Sequence, residues 1–288
     1  MASHRTPVRL RRGARYGAAL GLAGALGAGV LLSGGPVTPR AVAAAPAAAS
    51  LSLPRGNASF DYQLGGAYKP SAAVKVLSRD RSDRPVAGAY TICYVNGFQA
   101  QPEQLKWWQR KHPDLLLRDA RGRLVIDKDW NEALLDTSTA AKRTRLASVV
   151  GAWIDGCSRH GFKAIEPDNL DSYARSKGLL TRADNVALAT LLARRAHARG
   201  LAIGQKNSVE LIPKAKRIGF DFAVAEECGR YDECGEYVAA YGSRVFVIEY
   251  RARDFAKACA AWGKRLSIVQ RNLDLRPRGA SGYLRKAC

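Results

Sequence analysis

The residues of this chain whose types and spacing could do chemistry are carboxylates. The apolar run at Lys163-Ala164-Ile165 leads into Glu166-Pro167-Asp168-Asn169-Leu170-Asp171, and the run at Phe220–Val224 leads into Glu226-Glu227. In an extended strand alternate residues share a face, so Glu166 and Asp168 point the same way. Two carboxyl groups, one neutral and one ionised, are what glycoside hydrolysis needs: one protonates the leaving oxygen while the other attacks the anomeric carbon or activates water. Other apolar runs also end in polar groups: Asp80; Tyr94 and Asn96; Gln205-Lys206-Asn207; Glu249-Tyr250; Arg271-Asn272. Each alone is ordinary loop polarity, and the weight lies in their accumulation. Glu166 also reads as a hydrogen-bonded supporting residue, and Glu227, beside Cys228, as a loop-fixing one. Two rival chemistries stay open. One is a metal-assisted hydrolase with Glu166, Asp168 and Asp171 as oxygen ligands. The other is a barrel that binds polysaccharide without cutting it.

Other catalytic sets lack their parts. The four histidines, His4, His112, His160 and His197, fall away from the strand ends, so neither a catalytic zinc site nor a Ser-His-Asp triad has its imidazole there. His160 and His197 sit near helix C-termini, where capping accounts for them. No cofactor is expected, and no G-x-G-x-x-G follows the first strand. The six cysteines, Cys93, Cys157, Cys228, Cys234, Cys259 and Cys288, form no C-x2-C pairs and read as disulfides. Cys228–Cys234 would staple one loop, Cys259–Cys288 would tie down the last residue, and Cys93–Cys157 remains.

Eight apolar runs could carry these groups, beginning at Phe60, Val74, Tyr90, Lys163, Leu201, Phe220, Arg244 and Leu266. Helical patterns separate most of them. Leu146, Val149, Val150, Trp153, Ile154 and Cys157 recur at three- and four-residue spacing, as do Val186, Leu188, Leu191 and Leu192. Gly161 and Gly200 follow those helices and precede strands, as C-caps do. Eight alternating β and α units predict a single-domain α/β fold, a (β/α)8 TIM barrel, whose active face is the C-terminal end of the strands. The long segment Gly97–Asp136, with Trp107, Trp108 and Trp130, reads as an insertion at that face.

The chain has 288 residues, 47% hydrophobic and 25% charged, a globular composition. Arg5, Arg9, Arg11, Arg12 and Arg15 precede an apolar run from Tyr16 to about Leu32 and the small residues Ala41–Ala45. This is the plan of a secretory signal peptide, assigned to residues 1–45 with cleavage between Ala43 and Ala49. Residues 46–58 read as a linker and 59–288 as the barrel domain. The expectation is a secreted, extracellular monomer with no membrane association after cleavage. Six of the arginines behind the net charge of +21 lie in the first 45 residues, leaving about +15. Lysines and arginines are scattered without an aromatic-interleaved stripe, so nucleic acid is not an expected partner.

The stretches Phe60–Gly66, Cys93–Gln99, Gly161–Tyr173, Gly204–Asn207 and Phe220–Cys228 resemble glycoside hydrolase family 114, the endo-α-1,4-polygalactosaminidases. The likeness runs from about Phe60 to Cys288, and its most specific segments are E-P-D-N-x-D and F-D-F-A-V-x-E-E-C. It implies a barrel, an amino-sugar polysaccharide as the partner, Asp168 as nucleophile and Glu226 as acid/base, with Glu227 the rival for the second role. It also implies that Asp61, Asp80, Asn96, Asp171, Gln205, Lys206, Asn207, Glu249 and Tyr250 line the sugar site. Ala225 departs from the more polar residue expected at its position. One tension follows: deacetylated polygalactosamine is a polycation, and so is this protein. Either the cleft is locally acidic or the substrate is partly acetylated or different.

Overall fold

A computed structural model describes residues 51–288; the segment expected to be a signal peptide and its expected cleavage zone lie outside the described residues. Eight parallel strands form the frame: β1 (Phe60–Gln63), β2 (Val76–Asp80), β3 (Tyr90–Asn96), β7 (Ala164–Asp168), β8 (Ala202–Lys206), β9 (Phe222–Glu226), β10 (Val245–Glu249) and β11 (Ser267–Arg271). They pair in that order, each parallel to the next. These are the eight runs read from the sequence, with starts displaced by no more than two residues. The ring comes round where β11 lies beside β1. A last strand, β12 (Arg285–Ala287), adds antiparallel to β11 at this seam, and its Arg285 Nη2 donates to Phe60 O at 2.6 Å. The fold is a single (β/α)8 TIM-type barrel with one antiparallel addition.

Strand alternation divides the core into two. Phe60, Tyr62, Val76, Ile92, Ala164, Ala202, Phe222, Val224, Phe246, Ile248 and Val269 fill the interior. The opposite faces, such as Cys93, Val95, Ile165, Ile203, Ala223, Ala225, Val245 and Val247, meet the helices. The interior is tight at Gly204, where a Cβ would come within 2.6 Å of the Phe222 ring. Outside lie α2 (Ala140–His160) and α4 (Arg182–Ala198), packed on each other. Both open on a threonine cap: Thr139 accepts from Lys142 N, and Thr181 forms a reciprocal capping box with Asp184. α2 stops at Gly161, whose φ of 92° only glycine adopts cheaply. The helical layer thins elsewhere. After β7 comes the single turn α3 (Ser172–Arg175), and after β8 a 3-10 segment (Val209–Lys214) leads into α5 (Ala215–Ile218). α6 (Cys234–Tyr241) and α7 (Ala252–Trp262) complete the ring, while β1–β2 and β2–β3 are joined by loops.

The long insertion after β3 has its own order. Strands β4 (Gln99–Ala100), β5 (Ile126–Asp127) and β6 (Glu132–Leu134) form a small antiparallel sheet, β4-β6-β5, with α1 (Pro102–Lys111) between the first two. Trp108 is fully buried and meets Trp107, His112 and Trp153 edge-on, so two of the three tryptophans noted in this segment serve packing. Cysteines join as Cys93–Cys157, Cys228–Cys234 and Cys259–Cys288, the three pairs expected from spacing. Among the described residues no helix is long and apolar enough to cross a membrane.

Candidate active site

A cavity of about 350 Å³ opens at the C-terminal ends of the strands. The interior phase of each strand determines what reaches it. On β8 the inward positions are Ala202, Gly204 and Lys206; on β9 they are Phe222, Val224 and Glu226; on β7 they are Ala164, Glu166 and Asp168. The Lys206 ammonium, almost fully buried, therefore sits among three carboxyls. It lies 3.1 Å from Asp168 Oδ1, 3.0 Å from Glu226 Oε2 and 3.7 Å from Glu166 Oε1. These charges hold its pKa above the ordinary lysine value despite burial, which acts the other way. The point at which a metal could bridge the carboxylates is taken by this ammonium.

Each carboxyl has a different environment. Asp168 accepts from the Tyr94 hydroxyl at 2.8 Å and from Asn169 N–H at 2.8 Å. Burial works to raise its pKa, but the Lys206 charge and these donors hold it below the usual aspartate value. Glu226 receives the Tyr250 hydroxyl on Oε1, and Asn207 Nδ2 at 3.0 Å on Oε2. Glu166 lies beneath the cavity floor, fully buried, accepting from Tyr62 OH at 2.7 Å and from Ser78 Oγ. Burial dominates there and pushes its carboxyl up to about 7.

Glu166 thus ionises near 7 in the folded chain and near 4.5 unfolded, so folding takes up protons between those pH values. Its contribution to stability is intact below about pH 4.5 and is lost as pH rises through 7, with a slope of at most ~1.4 kcal/mol per pH unit. Glu132 and Glu249, also raised to about 7 by burial, act in the same window and direction. The lowered Asp168 acts only in more acid solution. Glu166→Gln, which keeps the shape without the charge, is expected to flatten part of this decline in urea titrations from pH 4.5 to 7.5. An unchanged slope would show that Glu166 is ionised throughout.

Backbone geometry settles which way several residues face. Asn169, Asn207 and Glu227 each follow a strand-end residue and have φ of 64°, 46° and 59°. Asparagine tolerates this left-handed region best of the non-glycine residues, glutamate less so. At Asn169 the turn brings the N–H onto Asp168; at Asn207 it brings Oδ1 to Glu226 N at 2.8 Å. At Glu227 it turns the side chain away from the cavity to pair with Arg230 at 2.8 Å. Glu227 is thus a loop residue, and Glu226 is the strand-nine carboxyl at the cavity.

Of the remaining residues expected at the sugar site, Asp80, Tyr94, Asp171, Lys206, Asn207 and Tyr250 line the cavity. Asp61, Gln205 and Glu249 do not, because alternation puts them on the other face of their strands. Asp61 is buried against Arg271, Arg285 and Tyr68. Gln205 accepts from Tyr241 OH, and Glu249 accepts from Gly229 N, fixing the Cys228–Cys234 loop. Asn96 lies beneath the surface, donating to Glu132 at 2.8 Å. Ala225 belongs to the helix-facing core, so its deviation from a polar residue has no bearing on the sugar site. The insertion brings cavity residues that the strand-end reading did not supply, Gln101, Trp130 and Glu132, while Tyr62, Asn169 and Arg175 also line it. Trp130 was visible as an aromatic in that insertion; Glu132 stands on a three-residue strand with no periodic signal.

A barrel with two carboxyl groups flanking one ammonium, sunk in a polar cavity at the strand C-termini, is built as a glycoside hydrolase is built. The sequence places it within that class: residues 40–288 match the Glycoside-hydrolase family GH114. The chain belongs to this family and is a glycoside hydrolase. Ega3 of Aspergillus fumigatus, solved in complex with galactosamine, superposes with a TM-score of 0.67 at 24% identity, over 85% of this chain and 100% of that one. The glycoside hydrolase domain of PelA from Pseudomonas aeruginosa, in a variant form, superposes with a TM-score of 0.56 at 15% identity, over 77% and 98%. At these identities the likeness is one of fold. No curated protein matches the chain.

Proposed function

We propose that this protein is a secreted endo-acting hydrolase of α-1,4-linked galactosamine polymers, with Asp168 as nucleophile and Glu226 as acid/base. The observation that carries the reading is the pairing of Asp168 and Glu226 across one ammonium. Their oxygens nearest Lys206 can be no more than about 6 Å apart, since each lies within hydrogen-bond reach of the same nitrogen. That favours the ~5–5.5 Å separation of retaining enzymes over the ~6.5–9.5 Å of inverting ones, which must admit a water. Asp168, held ionised by Lys206 and Tyr94, attacks the anomeric carbon from one face. Glu226 protonates the departing oxygen, and the charge it acquires is met by Lys206, Tyr250 and Asn207. It then takes the proton from the water that releases the sugar.

Charge supports a cationic substrate. The cavity is lined by Asp80, Glu132, Asp168, Asp171, Glu226 and Asp274 against Arg175 and Lys206. The protein as a whole is basic and the cleft is acidic, which relieves the tension between a polycationic polymer and a polycationic enzyme. Family membership and the galactosamine bound to Ega3 point to the same sugar. The three disulfides fit an oxidising, extracellular setting.

The products test the reading. Residues 46–288 acting on deacetylated α-1,4-galactosaminan are expected to release a ladder of oligomers early, with the α-anomer of the new reducing end appearing first by proton NMR. Monomer alone from the start would rule out endo action, and the β-anomer first would rule out Asp168 as nucleophile.

A further inference from the structure

Most carboxylates of the cavity are already engaged. Asp168 and Glu226 share Lys206, Asp171 is paired with Arg175 at 2.9 Å, and Asp274 lies 3.2 Å from Arg276. Asp80, partly exposed, accepts from Ser82 N and Ser82 Oγ and remains open to water. Glu132 is different: it is 8% exposed, and no cation among the described residues lies within salt-bridge distance of it. Both of its side-chain hydrogen bonds fall on Oε2, from Asn96 Nδ2 at 2.8 Å and Asn169 Nδ2 at 3.3 Å. Its other oxygen has no donor among the described residues, and Glu132 lines the cavity. A desolvated carboxylate with no counter-charge is costly unless a cation meets it.

Its position is defined relative to the Asp168 carboxyl. Asn169 gives its main-chain N–H to Asp168 and its side-chain amide to Glu132, so one residue fixes the spacing between the two carboxyls. Asn96 Oδ1 in turn accepts from Asn169 Nδ2 at 3.0 Å, which locks the amide in place. In a 2-amino sugar the nitrogen is on the carbon next to the anomeric one. The insertion that carries Glu132 also carries Trp130, 62% exposed at the cavity, which offers an aromatic face to the apolar side of a sugar ring.

We propose that Glu132 is the residue that selects a free 2-ammonium group on the sugar whose anomeric carbon faces Asp168. This rests on the hydrolase reading above and names its specificity element. Oε2 is held by the two amides and Oε1 accepts from the ammonium. Burial, the largest cause, raises the Glu132 carboxyl to about 7 in the free enzyme, so the arriving cation is what restores its charge. An N-acetyl group offers no charge to match it.

The test measures binding by calorimetry in the Asp168→Asn protein, with deacetylated and N-acetylated α-1,4-galactosamine oligomers as probes. Adding Glu132→Gln is expected to weaken the deacetylated oligomer by about 10- to 100-fold and to change the acetylated one by no more than about twofold. Gln can still take the Asn96 and Asn169 hydrogen bonds on its oxygen, and its thermal transition checks that the fold persists. Asp80→Asn in the same background is expected to leave the preference intact. Equal losses for both oligomers, no loss for either, or a loss of preference in Asp80→Asn instead would each overturn the assignment of Glu132. Failure of the Asp168→Asn protein with Glu132 intact to bind either oligomer would instead remove the substrate reading on which it stands.

Discussion

Asp168→Asn is expected to fold as the parent does and to turn over deacetylated polymer on the order of 10³- to 10⁵-fold more slowly, by analogy with the removal of other catalytic nucleophiles. The substitution changes one oxygen to an amide. Asn can keep its oxygen on Asn169 N–H, where Asp168 Oδ1 stands, and turn its amide NH2 to the Tyr94 hydroxyl, which can rotate to accept where it had donated to Oδ2, so the side chain stays oriented. What is lost is the negative charge 3.1 Å from Lys206 and the electron pair that attacks the anomeric carbon. The loss belongs in kcat, with KM little changed, because the polymer is held by the rest of the cleft. Initial rates of reducing-end release, with a thermal melt beside them, check this. A tenfold loss or less would assign the nucleophile elsewhere.

Glu226→Gln is expected to show a loss that depends on the leaving group. With polymer, whose leaving oxygen is a poor leaving group without protonation, the fall is about 10²- to 10⁴-fold. With an aryl α-galactosaminide bearing a good leaving group the first step needs no acid, so the sugar accumulates on Asp168 and turnover stalls at its release. Azide, which attacks without a general base, is then expected to restore turnover and to give the α-azide. Gln can keep its oxygen on Asn207 Nδ2 and donate its NH2 to the Tyr250 hydroxyl, which can rotate to accept, so the local frame survives. Equal losses for polymer and aryl substrate, with no azide effect, would mean that Glu226 is not the acid/base. Glu227 is not expected to take over, because its left-handed backbone turns it onto Arg230.

What was legible in the sequence followed from periodicity. The eight barrel strands stood out because each is a short apolar run set between helical patterns or loops. The carboxyl-bearing ends followed because a parallel barrel delivers its strand C-termini to one face. Errors arose where alternation had to be phased. Gln205 and Lys206 are neighbours, and only Lys206 shares the inward phase of Ala202 and Gly204. Asp61 beside Tyr62, and Glu249 beside Tyr250, divide in the same way. The phase is fixed by interior packing, and an all-apolar strand buried on both faces does not display it. That Glu226 lines the cavity while Glu227 turns onto Arg230 depends on one positive φ that the residue type does not announce. Strand β12 and the small sheet β4-β6-β5 are runs of two or three residues, too short to show a period, and Glu132 was hidden among them.

The central claim is that Asp168 and Glu226 together hydrolyse an α-linked galactosamine polymer. Reducing-end release from deacetylated α-1,4-galactosaminan by residues 46–288, run with and without chelator beside Asp168→Asn and Glu226→Gln, tests it most directly. Release by the parent protein that ignores chelator and is lost in both variants is the expected result. Release abolished by chelator, or surviving in either variant, would contradict the carboxylate pair, and binding of the polymer without release would contradict hydrolysis of this substrate.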